Sequence, residues 1–310
     1  MKGKCIITVC LLFVCLWGCE TPISLTIPNK ESTKIIEGWI ENDKPPVVVI
    51  SRSLSYYSNI NLSSMLSSID TAAIVKVSDD MGNTEQLKLG LSIDHIFGAL
   101  GKAYVGNTIK GIPGHTYSLY IETDGNIYTA QTTIPLNTVQ IDSLRLFRQF
   151  SDTTATLRVF FTDKANSYDC YRFFLMITNA SIRYSDPCFS QIFSGTFDDL
   201  TFNGLSASYE MLRSPPSNLP ISGRTREERE NYYRATFRKG DIIYVKSALT
   251  DKATQDYWFP LQTDISMGMN PFLTPGTYPT NIQGENVSGI WSAYHVRYDT
   301  IQYDSTIIMD

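Results

Sequence analysis

Short runs of β-favouring residues, separated by turn-forming residues, are the feature that most constrains how this chain folds. The clearest case is GHTYSLYIETDGNIYTAQTTIP, residues 114–135, in which Tyr117, Leu119 and Ile121 alternate with more polar neighbours. Such alternation predicts a strand with one buried face. The DGN sequence at residues 124–126 tolerates positive φ and predicts a tight turn between two antiparallel strands.

Comparable runs continue through the chain and predict a mainly β protein. A second hairpin, AAIVKVSDDMGNTEQLKL, turns at Gly82 and Asn83, and the runs KIIEGWI and PPVVVISRS precede it. These segments fit a sandwich of about seven strands over residues 32–135. The runs VQIDSLRLF, TATLRVFFTD and DCYRFFLMIT predict a further antiparallel sheet within residues 136–310. We therefore expect two β-sandwich-like domains of the immunoglobulin or fibronectin class.

One or two short helices are expected inside the second domain. Residues 223–237, GRTREERENYYRATF, carry charges of both signs at helical spacing, which predicts a solvated surface helix. A second helix is expected to begin with Thr250 or Asp251 as its N-cap. Its apolar side chains, Trp258 and Leu261 among them, are expected to pack on the sheet.

The first residues predict export and lipid attachment. Lys2 and Lys4 precede the apolar run CIITVCLLFVCLW, which is shorter than the roughly 20 residues that a membrane-spanning helix needs. The following CLWGC resembles a bacterial lipobox, which predicts removal of residues 1–18 and acylation of Cys19. Residues 19–31 then form a tether. The alternative is an ordinary signal peptide that is cut nearby, with Cys19 a structural thiol.

Charge and cysteine content exclude some classes of partner. The chain has 26 basic and 31 acidic side chains, and a mild acidity disfavours nucleic acid as a ligand. Outside the signal and the anchor, the cysteines are Cys170 and Cys188. An exported chain often pairs two such cysteines in a disulfide, but two buried thiols on neighbouring elements fit equally well. Neither a metal site nor a cofactor is predicted.

Four segments, taken in order, resemble a known family. They are the GCE start, IIEGWIENDKPPVVVISRS, YTAQTTIP followed by IDSL, and NPF with NIQGENVSGIWSAYHV near the end. The sequence is similar to the Bacteroidota envelope lipoprotein family catalogued as domain of unknown function 4249. The resemblance implies an outer-membrane lipoprotein, on the periplasmic or the cell-surface face, that assists a TonB-dependent receptor in ligand capture or assembly.

Enzyme motifs give little support to a catalytic function. The chain has three histidines and lacks the HExxH, Gly-x-Ser-x-Gly and phosphate-loop patterns. The runner-up hypothesis is a glycan-acting hydrolase that uses Asp198 or Asp199, although a turn explains this pair more simply. A third hypothesis is a structural surface protein with a stable protein partner.

Tyrosine and tryptophan are abundant enough to suggest a binding surface. Aromatic rings provide stacking platforms for sugars, and adjacent aromatic residues tend to send one ring outwards. The candidates are Tyr56, Tyr57, Tyr232, Tyr233 and Trp258. The alternative is that these rings divide between the core and scattered surface positions.

Short Asp-Ser or Asp-Thr sequences suggest a modification. Asp-Thr at Thr71 and Thr300, and Asp-Ser at Ser305, resemble the O-glycosylation acceptor of exported proteins in the same phylum. The motif is short, so these three positions are hypotheses.

Overall fold

The computed structural model describes most of the chain after residue 31. The described residues are 32–54, 61–91, 102–149, 151–186, 188–213, 236–266, 278–304 and 308–309. Several predicted features lie outside them: Cys19, Tyr56, Tyr57, Tyr232, Tyr233, Ser305 and residues 223–235 of the charged helix. Within the described part, no helix is both long and apolar enough to cross a membrane.

Strands dominate the described residues. In chain order they are β1 (Lys34–Glu41), β2 (Val47–Arg52), β3 (Ile74–Asp79), β4 (Thr84–Gln86), β5 (Lys88–Leu91), β6 (Lys102–Val105), β7 (Thr116–Thr123), β8 (Asn126–Thr133), β9 (Gln140–Gln149), β10 (Ser151–Thr162), β11 (Cys170–Asn179), β12 (Tyr184–Ser185), β13 (Ser190–Asp198), β14 (Ser206–Met211), β15 (Phe237–Arg238), β16 (Ile242–Thr250), β17 (Val287–Gln302) and β18 (Ile308–Met309). The helices are α1 (Leu62–Ser68), a 3-10 turn (Ala180–Ile182) and α2 (Lys252–Ser266). The expectation of a mainly β, sandwich-like protein with short helical inserts is confirmed.

The strands form three sheets. A nine-stranded sheet has the order β12-β11-β16-β17-β1-β2-β6-β5, with β13 also paired to β11. A five-stranded sheet contains β14, β10, β9 and β18, with β15 paired to β10, and a four-stranded sheet has the order β4-β3-β7-β8. In the nine-stranded sheet, β1 and β17 are parallel neighbours, whereas β16 and β17 are antiparallel.

Each smaller sheet encloses a hydrophobic core against the large sheet. The first core combines β1 and β2 with the four-stranded sheet and includes Ile36, Tyr117 and Trp291. The second combines β11 and β16 with the five-stranded sheet and includes Phe161 and Phe173. Residues Ser32–Asp310 form one compact unit. Most residues of the first core precede the boundary expected at residue 135, and the residues of the second core follow it. The large sheet, however, contains strands from both sides of this boundary.

Strand β17 belongs to both cores. Trp291 and Ala293 lie in the first core, and Ile301 lies in the second. Since alternate residues of a strand share one face, the two smaller sheets cover the same face of the large sheet. The opposite face receives α2, because Tyr257 and Trp258 pack on Ile290 of β17.

Helix α2 begins where the sequence indicated. Asp251 is its N-cap, with the N–H of Thr254 donating to Asp251 Oδ1 at 2.8 Å. Trp258 is buried and Leu261 packs beside it, as expected for the apolar side of this helix. Helix α1 was not predicted; it starts in a polar segment whose Asn61 and Ser64 cap the helix reciprocally.

The second half of the chain differs from the predicted sheet. Strands β9 and β10 pair as expected, but β11 joins the nine-stranded sheet instead of continuing theirs. The segment between Thr162 and Cys170 thus crosses from one layer of the second core to the other.

Cys170 and Cys188 are both buried and are not joined in a disulfide. Cys170 is opposite Asp198 in the β11–β13 pairing, whereas Cys188 lies just before Ser190, which is opposite Leu175. The two cysteines therefore lie at positions along β11 that are at least five residues apart, which is roughly 16 Å at about 3.3 Å per residue. A disulfide requires Cα atoms within about 7 Å of each other. The alternative of two buried thiols describes this structure.

Candidate functional site

A large cleft lies beside α2 and the turn that follows β13. Its volume is about 1100 Å³. The lining residues come from these two segments, from the crossing segment and from the loop before β17: Tyr168, Phe197, Asp198, Leu200, Thr201, Phe202, Lys252, Gln255, Asp256, Phe259, Pro260 and Pro279. We refer to this set as the α2 cleft.

Exposed apolar side chains form one wall of the α2 cleft. Tyr168 is 43% exposed, Phe259 52% and Leu200 74%. Helical spacing explains Phe259, because Tyr257 and Trp258 occupy the side of α2 that packs on the sheet. Apolar side chains grouped along a cavity, rather than scattered singly, are typical of a ligand site.

The carboxylate of Asp198, held by hydrogen bonds, lies next to these apolar side chains. Asp198 Oδ2 accepts from Gln255 Nε2 at 2.9 Å and from the Tyr168 hydroxyl at 3.0 Å. The Cys170 thiol donates to Gln255 Oε1 at 2.7 Å, which fixes the amide orientation. The α2 cleft therefore presents a carboxylate and an amide that are already held in place before a ligand arrives.

Burial and hydrogen bonds together set the titration of these groups. Burial opposes the charge on Asp198, yet the hydrogen bonds from Gln255 and Tyr168 hold its pKa below the ordinary value. Burial raises the pKa of the Cys170 thiol to about 12. Asp198 is thus a stable acceptor at neutral pH, and Cys170 stays a protonated donor.

An ion pair marks the rim of the α2 cleft. Lys252 Nζ lies 2.6 Å from Asp256 Oδ1, and the two residues are one helical turn apart on the exposed side of α2. Both side chains keep hydrogen-bonding capacity towards solvent, so they add a donor and an acceptor for a polar ligand.

Asp198 and Asp199 lie in different environments. Asp198 lines the cleft, whereas Asp199 is fully buried and its pKa is raised by burial. The hydrolase hypothesis needs two carboxylates that reach one glycosidic bond. Of this predicted pair, only Asp198 lines the α2 cleft.

The predicted stacking residue Trp258 does not serve that purpose. It is buried, with the guanidinium of Arg172 lying 4.2 Å from its ring centroid. The exposed ring of α2 is the next residue, Phe259, because a helix turns by about 100° per residue and faces the solvent there. Sequence reasoning pointed to this segment but selected Trp258, whose ring is buried, rather than the exposed Phe259.

Two of the three suggested glycosylation positions are described. Thr71 lies in the turn before β3, and Thr300 lies on β17 opposite Tyr244. Both side chains are exposed. O-glycosylation at these threonines stays a prediction.

Comparison with models of known protein families gives no match for this sequence. A search of curated proteins likewise finds no significant similarity. The resemblance to the Bacteroidota lipoprotein family stays a prediction, and the α2 cleft has to be interpreted from its own chemistry.

Proposed function

We propose that this protein is a non-catalytic, lipid-anchored envelope lipoprotein that captures a carbohydrate in the α2 cleft. The observation that carries the proposal is the position of exposed apolar side chains directly beside the fixed Asp198 and Gln255 pair. A cleft of this kind suits a ligand that has an apolar face and several hydroxyl groups.

Sugars combine these two properties in one molecule. The C–H face of a pyranose ring can pack on Phe259 or Tyr168, and its hydroxyl groups can donate to the carboxylate of Asp198. The rim ion pair of Lys252 and Asp256 supplies a further donor and acceptor for the remaining hydroxyl groups, while the buried Gln255 holds Asp198 in place.

The cellular setting of the proposal comes from the sequence. The lipobox-like CLWGC supports acylation of Cys19, and the family resemblance supports a location in the outer membrane beside a TonB-dependent receptor. In this setting the protein hands a captured ligand to the receptor or supports the assembly of the receptor.

Phe259→Ala is expected to weaken glycan binding at least tenfold while leaving stability almost unchanged. The ring is half exposed, so its removal costs the fold only about 0.5 kcal/mol, whereas the ligand loses a stacking surface. The measurement is a screen of wild-type protein against immobilised oligosaccharides, followed by calorimetric titration of each hit with both proteins.

Ile127→Ala is the matched control, because Ile127 on β8 is 55% exposed and does not line the α2 cleft. Equal losses in the two variants, or no oligosaccharide bound by the wild type, would contradict the carbohydrate assignment. Cleavage of the bound oligosaccharide over time would favour the hydrolase hypothesis instead.

Cys19→Ala is expected to release the protein from membranes into the aqueous fraction. Acyl chains supply the attachment, since each buried methylene contributes about 0.8 kcal/mol. Membrane fractionation measures the release, and crosslinking from native membranes tests for a TonB-dependent receptor. A variant that stays membrane-bound would refute the anchor, and crosslinked wild type without any receptor would refute the partnership.

A further inference from the structure

Three buried carboxylates meet where the chain crosses between the layers of the second core. Asp163 follows β10, Asp169 precedes β11 and Asp199 follows β13. One oxygen of each lies within 4.8 Å of the other two, and every one of these side chains is more than nine-tenths buried. Three carboxylates this close, with so little access to water, cannot all stay ionised unless a cation lies between them; without one, burial and mutual repulsion raise the pKa of Asp169 and Asp199.

The hydrogen bonds that reach these carboxylates come from neutral groups. The donors are the Tyr171 hydroxyl and the Gly204 N–H (2.7 Å) for Asp163, the Ser167 hydroxyl (2.8 Å) for Asp169, and Asn203 Nδ2 (3.0 Å) for Asp199. Across the described residues, no lysine, arginine or histidine forms an ion pair with any of the three. Lys164 instead donates to Asn137 Oδ1.

One carboxylate oxygen of this cluster has no hydrogen-bond partner among the described residues. Asp199 is fully buried, and its Oδ1 has no hydrogen-bond partner within the described part of the chain. A buried carboxylate oxygen without a hydrogen-bond partner is costly, and native proteins rarely leave one unpaired. The same environment suits a cation.

A cavity gives access to this cluster. Asp163 and Asp169 line a space of about 730 Å³ together with Thr138, whose buried Oγ1 also has no partner among the described residues. The cavity is polar enough and large enough to admit an ion with its remaining water ligands.

We propose that Asp163, Asp169 and Asp199 bind one calcium ion. The three donors are all carboxylate oxygens, the ligand type that calcium takes at 2.3–2.6 Å, whereas zinc prefers nitrogen and sulfur. Two oxygens on opposite sides of a calcium ion are about 5 Å apart, which agrees with a cluster that spans no more than 4.8 Å. The ion joins the crossing segment to the turn after β13 and stands independently of the proposed carbohydrate binding.

The test uses the full-length protein in detergent, stripped with EGTA and titrated with calcium chloride alone. We expect Tm to rise by about 5–10 °C when calcium exceeds its Kd roughly 100-fold. Magnesium chloride should give a smaller rise, because magnesium demands shorter bonds in a stricter octahedron. No rise in Tm and no heat of binding, or an equal response to magnesium, would overturn the calcium assignment.

Asp199→Asn locates the ion. This variant should lose the calcium-dependent rise, while its Tm in EGTA equals or exceeds the wild-type value because one repelling charge is gone. Asp43→Asn is the control, since Asp43 is an exposed carboxylate in the turn after β1 that does not line this cavity, and it should keep the full response. A full response in Asp199→Asn would refute the site. Should that variant fail to fold, Asp169→Asn is judged by the same criterion.

Discussion

Trp291→Ala is expected to lower the free energy of unfolding by about 3–5 kcal/mol, the cost of emptying a large buried site. Trp291 is fully buried in the first core, and its Nε1 donates to the carbonyl oxygen of Tyr117 at 2.9 Å. The variant leaves a cavity and also removes this hydrogen bond. Denaturant unfolding monitored by circular dichroism measures the loss.

Gly38 offers a specific check on this packing. A Cβ at Gly38 would lie 2.7 Å from Trp291 Cε3, so Gly38→Ala alone should destabilise the first core. In the Trp291→Ala background the obstructing ring is absent, and the added methyl group should cost much less. Additive effects of the two substitutions would show that the side chains do not meet as described.

Lys246→Met is expected to destabilise the protein by about 3–5 kcal/mol, because it leaves a buried carboxylate with too little compensation. Lys246 forms a buried ion pair with Glu41, and both side chains are almost fully shielded from water. Lys44 also contacts Glu41 at 3.1 Å, but its side chain is partly exposed. Denaturant unfolding at neutral pH measures the loss, and Glu41→Gln added to Lys246→Met should recover most of it.

The same pair predicts a pH dependence. Burial opposes the charge on Glu41, but Lys246 and Lys44 hold its pKa below the ordinary value of 4.5. A lowered folded-state pKa contributes stability above the unfolded pKa, and this stability is lost as the pH falls through the folded-state value. Without Lys246 the buried Glu41 should favour protonation, so the deficit of Lys246→Met should shrink between neutral pH and about pH 4. An equal deficit at both pH values would contradict this account.

Local sequence patterns predicted individual elements well. Alternation identified β1, β3, β7 and β8, and the N-cap with its apolar stripe identified α2, because these signals come from neighbours within a few residues. The pairing of β1 with β17 and the transfer of β11 to the large sheet depend on contacts between distant segments. No local pattern contains that information.

The two sites were predictable to different degrees. The segment of the α2 cleft was identified, but the choice of Trp258 over Phe259 required knowledge of which side of the helix meets the sheet. Of the acidic cluster, only Asp199 was singled out from the sequence, as one member of a carboxylate pair with Asp198. The carboxylates of the cluster follow or precede three different strands, and no metal-binding motif links their spacing in the chain.

The central position of β17 in the large sheet restricts the order in which the strands of the protein can fold. Lys34 of β1 is opposite Val287, so the first strand waits for a partner that lies roughly 250 residues further along the chain. A chain emerges from a ribosome or a translocon with its amino end first. At that stage the edge of β1 that pairs with β17 is open, and the first core lacks Trp291. The amino-terminal half is therefore completed only after the last strand of the large sheet has arrived, and until then its open edge is available for pairing with other chains.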